Sequence, residues 1–446
     1  MDFGAPCLAA ALARLDPSGS ATGFCVALSG GLDSSVLLHG MAALRDAPDA
    51  RTLRAVHVDH GLQPESAAWA EACRALCRRL GVPLEVATLS LSPPPGASVE
   101  AEARDARYAA LAARLRPGEW LLTAHHRDDQ LETVLIQLLR GAGVAGLSAM
   151  PELARLGAGW HARPLLGLDR PAIAAYAGQQ GLDWARDPMN DSTRFDRGWL
   201  RERVLPAIRE RWPAASATVA RSASHLGEAR RLLDELAQAD AAGIVEGGRL
   251  VIDGLQRLSQ ERQVNLLRWW IRSRGLGPPP AARLAVALRE LPGARADATP
   301  LVRWPHGELR RYRGRLYAMH PLPDAFVAQH GAETGSRVLD LGPGLGKFCL
   351  VSGVQGGLRL PLTGEPVIRF RAGGEALRTH PDRPRKRLKD LCREAGIVPW
   401  MRERLPLVFV GERLAAVGDL WIEAELAAPA GVPALRPVWS ERPELN

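Results

Sequence analysis

The chain has 446 residues, a net charge of +8, and 46% hydrophobic against 24% charged residues. That balance excludes a wholly disordered or collagen-like chain, and at ~100–200 residues per domain the length predicts two to four domains. No window approaches the ~18 apolar residues of a membrane span, and Asp2 stands where a secretory leader needs basic residues, so the expected location is the cytoplasm.

The first 200 residues alternate short apolar runs with helical segments. FCVALS (24–29) reads as a strand, followed by a glycine turn and helical SVLLHGMAALRDA. LRAVHVDH (53–60) is a second strand, LEVATLSL (84–91) a third and EWLLTAHH (119–126) a fourth, with helical segments after each. Strands alternating with helices predict an α/β fold: a parallel sheet with helices on both faces. Ligands then belong at the carboxyl ends of the strands. From about residue 214 to 320 the pattern becomes long and amphipathic, in SATVARSASHLGEARRLLDELAQADA and ERQVNLLRWWIRSRG, which predicts a helical middle domain. From about 335 the chain is richer in Gly, Pro and short apolar runs, as in a small α+β domain. The expected domains are therefore 1–213, 214–325 and 335–446.

The six cysteines, Cys7, Cys25, Cys73, Cys77, Cys349 and Cys392, form no C-x-x-C pair. They lack the spacing of a zinc or iron–sulfur site and read as buried thiols. Only three of the 57 basic residues are lysine, Lys347, Lys386 and Lys389. This arginine bias weakens any single arginine as a site marker. The overall positive charge favours polyanionic partners.

The sharpest motif is Ser29-Gly30-Gly31-Leu32-Asp33-Ser34-Ser35, between an apolar strand and a helix. Glycines let backbone N–H groups turn toward a phosphate, the helix N-terminus adds positive potential, and the serines add hydroxyl donors. The loop has no lysine, so it is not a Walker A motif. Asp33 is out of place in a bare anion site and makes sense if Mg2+ bridges it to phosphates. The alternative is a plain helix-capping turn.

With this loop the chain resembles the N-type ATP pyrophosphatase (PP-loop) family, whose signature is SGGxDS. The resemblance implies cleavage of ATP to AMP and pyrophosphate, with adenylation of a substrate oxygen. Further segments narrow it. His57-Val58-Asp59-His60-Gly61-Leu62, the stretch His125-His126-Arg127-Asp128-Asp129-Gln130-Leu131-Glu132-Thr133, DPMNDSTRFDRGWLR (187–201), FRAGGE (370–375) and the basic stretch after it resemble the tRNA(Ile)-lysidine synthase family. Gly198 stands where that family usually has asparagine. The resemblance implies a ligase acting on the wobble cytidine of a CAU-anticodon isoleucine tRNA. ATP adenylates the ring carbonyl oxygen, and the ε-amine of free L-lysine then displaces AMP. The sequence leaves monomer and homodimer both open.

Ser29 through Ser35, His57 and His125 are the candidate nucleotide contacts, with Asp33 the candidate Mg2+ ligand. Asp129 and Glu132, three apart, share a helix face. They suit the ammonium groups of lysine or one proton transfer; the alternative is ordinary acidic charge in a first helical turn. Arg104 and Arg107 share a face and suit phosphate, tRNA or surface acids. Arg197 and Arg201, four apart, are candidate tRNA contacts. Between Val367 and Arg404 there are eleven basic and five acidic residues, +6 of the chain's +8. Arg385, Lys386, Arg387 and Lys389 there are expected to open a helix and track tRNA phosphates, with Trp400 packing nearby. LGPGLGKF (341–348) lacks the Ser or Thr of a P-loop and reads as a turn. The competing readings are a tRNA thiolase of the same fold, which normally needs cysteine motifs absent here, and a non-catalytic tRNA-binding protein.

Overall fold

The computed structural model describes residues 3–45, 51–59, 61, 65–89, 99–185, 195–295, 298–322, 330–331, 338–342, 344–354 and 356–445. They form two compact units, Met1–Leu232 and Leu233–Asn446. No helix among the described residues is long and apolar enough to cross a membrane. His60 and residues 186–194, which carry part of the sequence motifs, lie outside the described residues.

The first unit begins with α1 (Ala5–Leu15), β1 (Gly23–Ala27), α2 (Leu32–Ala43), β2 (Thr52–Asp59), α3 (Ser66–Leu80) and β3 (Leu84–Thr88). It continues through α4 (Val99–Ala113), β4 (Glu119–Leu122), α5 (Arg127–Leu139), α6 (Val144–Leu147), β5 (Leu153–Leu156), β6 (Gly159–Ala162) and α7 (Arg170–Gln179). The sheet order is β3-β2-β1-β4-β6-β5, and every pairing is parallel except the β5–β6 hairpin. The parallel α/β sheet expected from the alternation is thus present. The chain leaves β1 toward β2 and β3, then returns to place β4 on β1's other side. That reversal opens a crevice at the carboxyl ends of β1 and β4.

Residue alternation explains why the sheet is covered twice. Phe24, Val26 and Leu28 join the core that holds Val36, Leu37 and Met41 of α2. Cys25 and Ala27 face the other way, onto Leu111 and Leu115. Each large apolar side chain so buried contributes about 1.5–3 kcal/mol. A strand buried on both faces needs the continuous apolar run found at 24–29.

After α7 come α8 (Asp196–Trp199), a π-helical turn Leu200–Val204, α9 (Leu205–Arg211) and the long α10 (Ala215–Ala241), of which the residues up to Leu232 belong to this unit. Leu205 and Ala215, with Ile208 and Val219, pack on Leu131 and Leu135 of α5. This small core presses the 196–211 segment against the site helix.

In the second unit the helix expected at ERQVNLLRWWIRSRG is α12 (Gln260–Ser273), and the structure adds α11 (Ile252–Gln256) and α13 (Ala281–Gly293). They pack against a five-stranded antiparallel sheet that the periodicity did not reveal. Its strands are β7 (Val245–Glu246), β8 (Arg249–Val251), β9 (Leu301–Trp304), β10 (Gly307–Tyr312) and β11 (Arg315–Met319), in order β7-β8-β11-β10-β9. The C-terminal region carries two further five-stranded sheets and a helix at Leu388–Glu394. The P-loop decoy is a turn between strands Leu339–Asp340 and Lys347–Gly353. Trp400 is buried, as expected, against Tyr312 and Tyr317.

Candidate active site

The glycine–serine loop lies at the carboxyl end of β1, at the crevice. Gly30 has φ +86, and a Cβ there would meet Cys73 Sγ at 3.1 Å, so the position favours glycine on both counts. The Gly30 carbonyl accepts from Ala185 N at 2.9 Å. Ser34 Oγ accepts from Ser29 N at 3.2 Å and donates to the Gly31 carbonyl at 3.1 Å, pinning the turn. Gly31 is the N-cap of α2, with no side-chain cap. The N–H groups of the first turn therefore stay open to an anion.

Asp33 follows in that first turn. Its Oδ1 is buried and has no hydrogen-bond partner, while Oδ2 lies 3.7 Å from His126 Nε2. An orphaned carboxylate oxygen beside an open anion cradle fits a hard cation shared with phosphate. Among the described residues no group of three or more His, Cys, Asp or Glu could hold a metal. Mg2+ at Asp33 would thus take its other ligands from phosphate and water, as this ion commonly does.

The crevice's other wall is the start of α5. Its N-cap His126 is buried, and Asp129 Oδ2 accepts from the His126 backbone N–H at 2.9 Å. His126 Nε2 also stands 3.5 Å from Asp129 Oδ2, so this ring bridges Asp33 and Asp129. Burial alone would lower its pKa. The bond to Asp33 and the charges of Asp129, Asp33 and Asp128 outweigh that and raise it. Sequence alone gives His126 no role beyond its place in the 125–133 motif; only the fold shows it between the two carboxylates.

The carboxylate pair is not vacant. Glu132 is 1% exposed, and both its oxygens accept from Arg201, at 2.5 Å from Nε and 2.9 Å from Nη2. Arg201 Nη2 also donates to Asp129 Oδ1 at 3.1 Å. Arg197 lies 3.6 Å from Glu132 and donates to Thr133 Oγ1 at 3.1 Å. Burial pushes the Glu132 carboxyl above its ordinary value, and the Arg201 contact only partly restrains it. Asp128 is held separately by Ser216 and Arg209. Arg197 and Arg201, expected on tRNA, here close over the acidic pair instead.

His57 is buried with Nδ1 2.8 Å from the Leu28 carbonyl and 3.5 Å from Cys73 Sγ. It braces the strand entering the loop from behind. Burial lowers its pKa, and it also pushes the Cys73 thiol up to about 12. All six cysteines are free thiols; Cys25, Cys73, Cys77 and Cys392 are buried. His125 is half-buried at the end of β4, near Arg104 and Arg107 of α4. Arg104 lies over the Tyr108 ring, and neither arginine has an acidic partner among the described residues.

In the second unit the basic run divides. Arg385 bonds the fully buried Glu423 at 3.1 Å, and Lys386 holds Glu394 at 3.0 Å. Arg387 and Lys389 are exposed, with no acidic partner among the described residues. The expected helix starts only at Leu388, because Lys386–Arg387 pair as a strand with Ala376–Leu377.

An uncapped glycine–serine loop at the switch point of a parallel sheet, flanked by an orphaned carboxylate, defines a nucleotide site of the PP-loop class. Residues 8–208 match the family model described as the PP-loop domain. Residues 250–317 match the TilS substrate binding domain and 367–439 the TilS substrate C-terminal domain. The tRNA(Ile)-lysidine synthase of Methylococcus capsulatus is 43% identical over 410 residues, 90% of this chain and 92% of that one. That of Alkalilimnicola ehrlichii is 43% identical over 93% of each chain, and that of Pseudomonas aeruginosa 42% identical over 92% of each. The chain belongs to the tRNA(Ile)-lysidine synthase family.

Proposed function

We propose that the protein is an ATP-dependent ligase that joins free L-lysine to the wobble cytidine of a CAU-anticodon isoleucine tRNA. The observation that carries this reading is the carboxylate pair Asp129 and Glu132, set beside the anion loop and already occupied by a cation, Arg201. An acidic site adjoining a phosphate site suits a reaction whose second substrate is an amine.

The chain's residues divide the work. Ser29 through Ser35 cradle the phosphates of ATP. Asp33 would hold Mg2+, which when bound neutralises charge on the α- and β-phosphates. Arg104 and Arg107 face developing negative charge as pyrophosphate leaves. The cytidine ring oxygen attacks the α-phosphorus; one P–O bond forms, and the bond to pyrophosphate breaks. Asp129 and Glu132 then hold lysine, its ammonium taking over contacts that Arg201 makes in the free chain. A carboxylate of the pair accepts a proton as the ε-amine attacks the ring carbon, and AMP departs. Arg197 and Arg201, released, face tRNA phosphate. His57 supports the loop rather than the reaction.

Residues 1–213 carry this chemistry, while 214–325 and 335–446 position tRNA. Arg387 and Lys389 carry the phosphate contacts of the last region, backed by Arg385 and Lys386. A tRNA substrate supports a cytoplasmic location. The test is AMP release from ATP, with and without tRNA, for the wild type and Asp33→Asn. The reading predicts tRNA-stimulated AMP release that Asp33→Asn abolishes while tRNA still binds. Equal AMP release by the variant overturns it.

A further inference from the structure

Behind the His125 ring lies a chain of hydrogen bonds with no part in the roles above. Thr123 is buried just past β4; its hydroxyl is 2.8 Å from His125 Nδ1 and 2.8 Å from His161 Nε2. His161, buried on the neighbouring strand β6, has Nδ1 3.1 Å from Arg163 Nη2. Arg163 is buried too, and its Nη1 donates to the Pro151 carbonyl at 2.6 Å. Tyr108 packs on the His161 ring with centroids 5.4 Å apart.

The polarity of this chain follows from donor and acceptor chemistry. A guanidinium only donates, so His161 Nδ1 accepts. Burial, then Arg163, Arg104 and Arg107, push His161 down to about 3, so its ring is neutral near pH 7. Its one ring proton is then on Nε2 and is donated to the Thr123 oxygen. Among the described residues the Thr123 hydroxyl has two partners, these two histidines. Its own proton therefore goes to His125 Nδ1. The opposite arrangement, with His125 Nδ1–H donating, leaves a buried hydroxyl proton without an acceptor. Burial, then Arg163, His161, Arg104 and Arg107, also hold His125 neutral. Its ring proton is on Nε2, which has no partner among the described residues.

We propose that Arg163, His161 and Thr123 are positioning residues forming a one-way relay that fixes His125 as a neutral imidazole presenting Nε2–H to a phosphate oxygen of the bound nucleotide. This rests on the ATP-site reading above. His125 is then a hydrogen-bond donor to charge developing on phosphate. It is not a base, because Nδ1 is spent and Nε2 carries the proton.

The test is the tautomer itself, read from imidazole 15N shifts in two-bond 1H–15N correlation spectra of the full chain, with peaks assigned by His125→Gln and His161→Gln. His125 and His161 are expected as neutral Nε2–H tautomers, unchanged between about pH 6 and about pH 8. Thr123→Val should turn His125 into a mixture of tautomers. It should also slow AMP release roughly 10–100-fold, with the KM for ATP changed less than about 3-fold. Thr123→Ser should restore both. An Nδ1–H tautomer at His125 in the wild type, or Thr123→Val with a wild-type spectrum or rate, overturns the relay. The expected tautomers in a wild type that releases no AMP would instead refute the ATP-site reading and leave the hydrogen-bond polarity standing.

Discussion

Replacing Arg201 by methionine keeps its aliphatic stem and strips the charge that covers Glu132. Breaking a buried ion pair from one side costs about 3–5 kcal/mol. The Arg201 side chain is 37% exposed, and Arg197 stays 3.6 Å from Glu132, so both solvent and a second cation soften the loss. We expect about 2 kcal/mol at about pH 8, or about 4–8 °C in Tm for a unit of this size. The pH dependence has a definite sign. Glu132 already binds its proton more tightly in the folded chain than in the unfolded one, because burial raises its pKa. Stability from that difference is present at acid pH and is lost as pH rises through the folded value. Removing Arg201 raises that value further. The variant's deficit is therefore largest near pH 8 and narrows toward about pH 5. Calorimetry of both proteins across that range is the assay. A Tm change below about 1 °C, or a deficit that grows on acidification, refutes the reasoning.

Arg385→Gln should lower Tm, because it leaves the fully buried Glu423 without its cation, whereas Arg387→Gln with Lys389→Gln should leave Tm unchanged. The double variant should weaken tRNA binding and reduce the slope of log affinity against log salt by roughly two, one per lost phosphate contact. A filter-binding salt series checks this, and an unchanged slope counts against that face. Alkylation at about pH 8 should spare Cys25 and Cys73, whose thiols burial pushes up to about 12, until the chain unfolds. Mass spectrometry of labelled peptides reads the outcome, and rapid labelling of either in the folded protein contradicts the described packing.

What could be read from sequence was local. Ser29 through Ser35 are consecutive, so strand, glycine turn and helix start announce themselves together. Asp129 and Glu132 were legible because a helix converts a spacing of three into one face. Their partner was not, since Arg201 lies 69 residues from Glu132 and reaches it only through the packing of α9 and α10 on α5. The Thr123–His161 contact joins the end of β4 to β6, which only the sheet order makes neighbours. The middle sheet was not legible because two of its strands are very short and Gly307–Tyr312, though six residues long, does not alternate apolar with polar residues. Val245–Glu246 and Arg249–Val251 are too brief to show a period of two. In the basic run, charge was visible in sequence, but which cations are spent on buried acids such as Glu423 was not.

The central claim is tested most directly by transfer of labelled lysine to isoleucine tRNA with a CAU anticodon, with and without ATP. A methionine tRNA with the same anticodon serves as the control. The account predicts ATP-dependent label on the isoleucine tRNA alone. No label, with AMP still released when tRNA is added, would contradict lysine as the second substrate and point to sulfur transfer on the same fold.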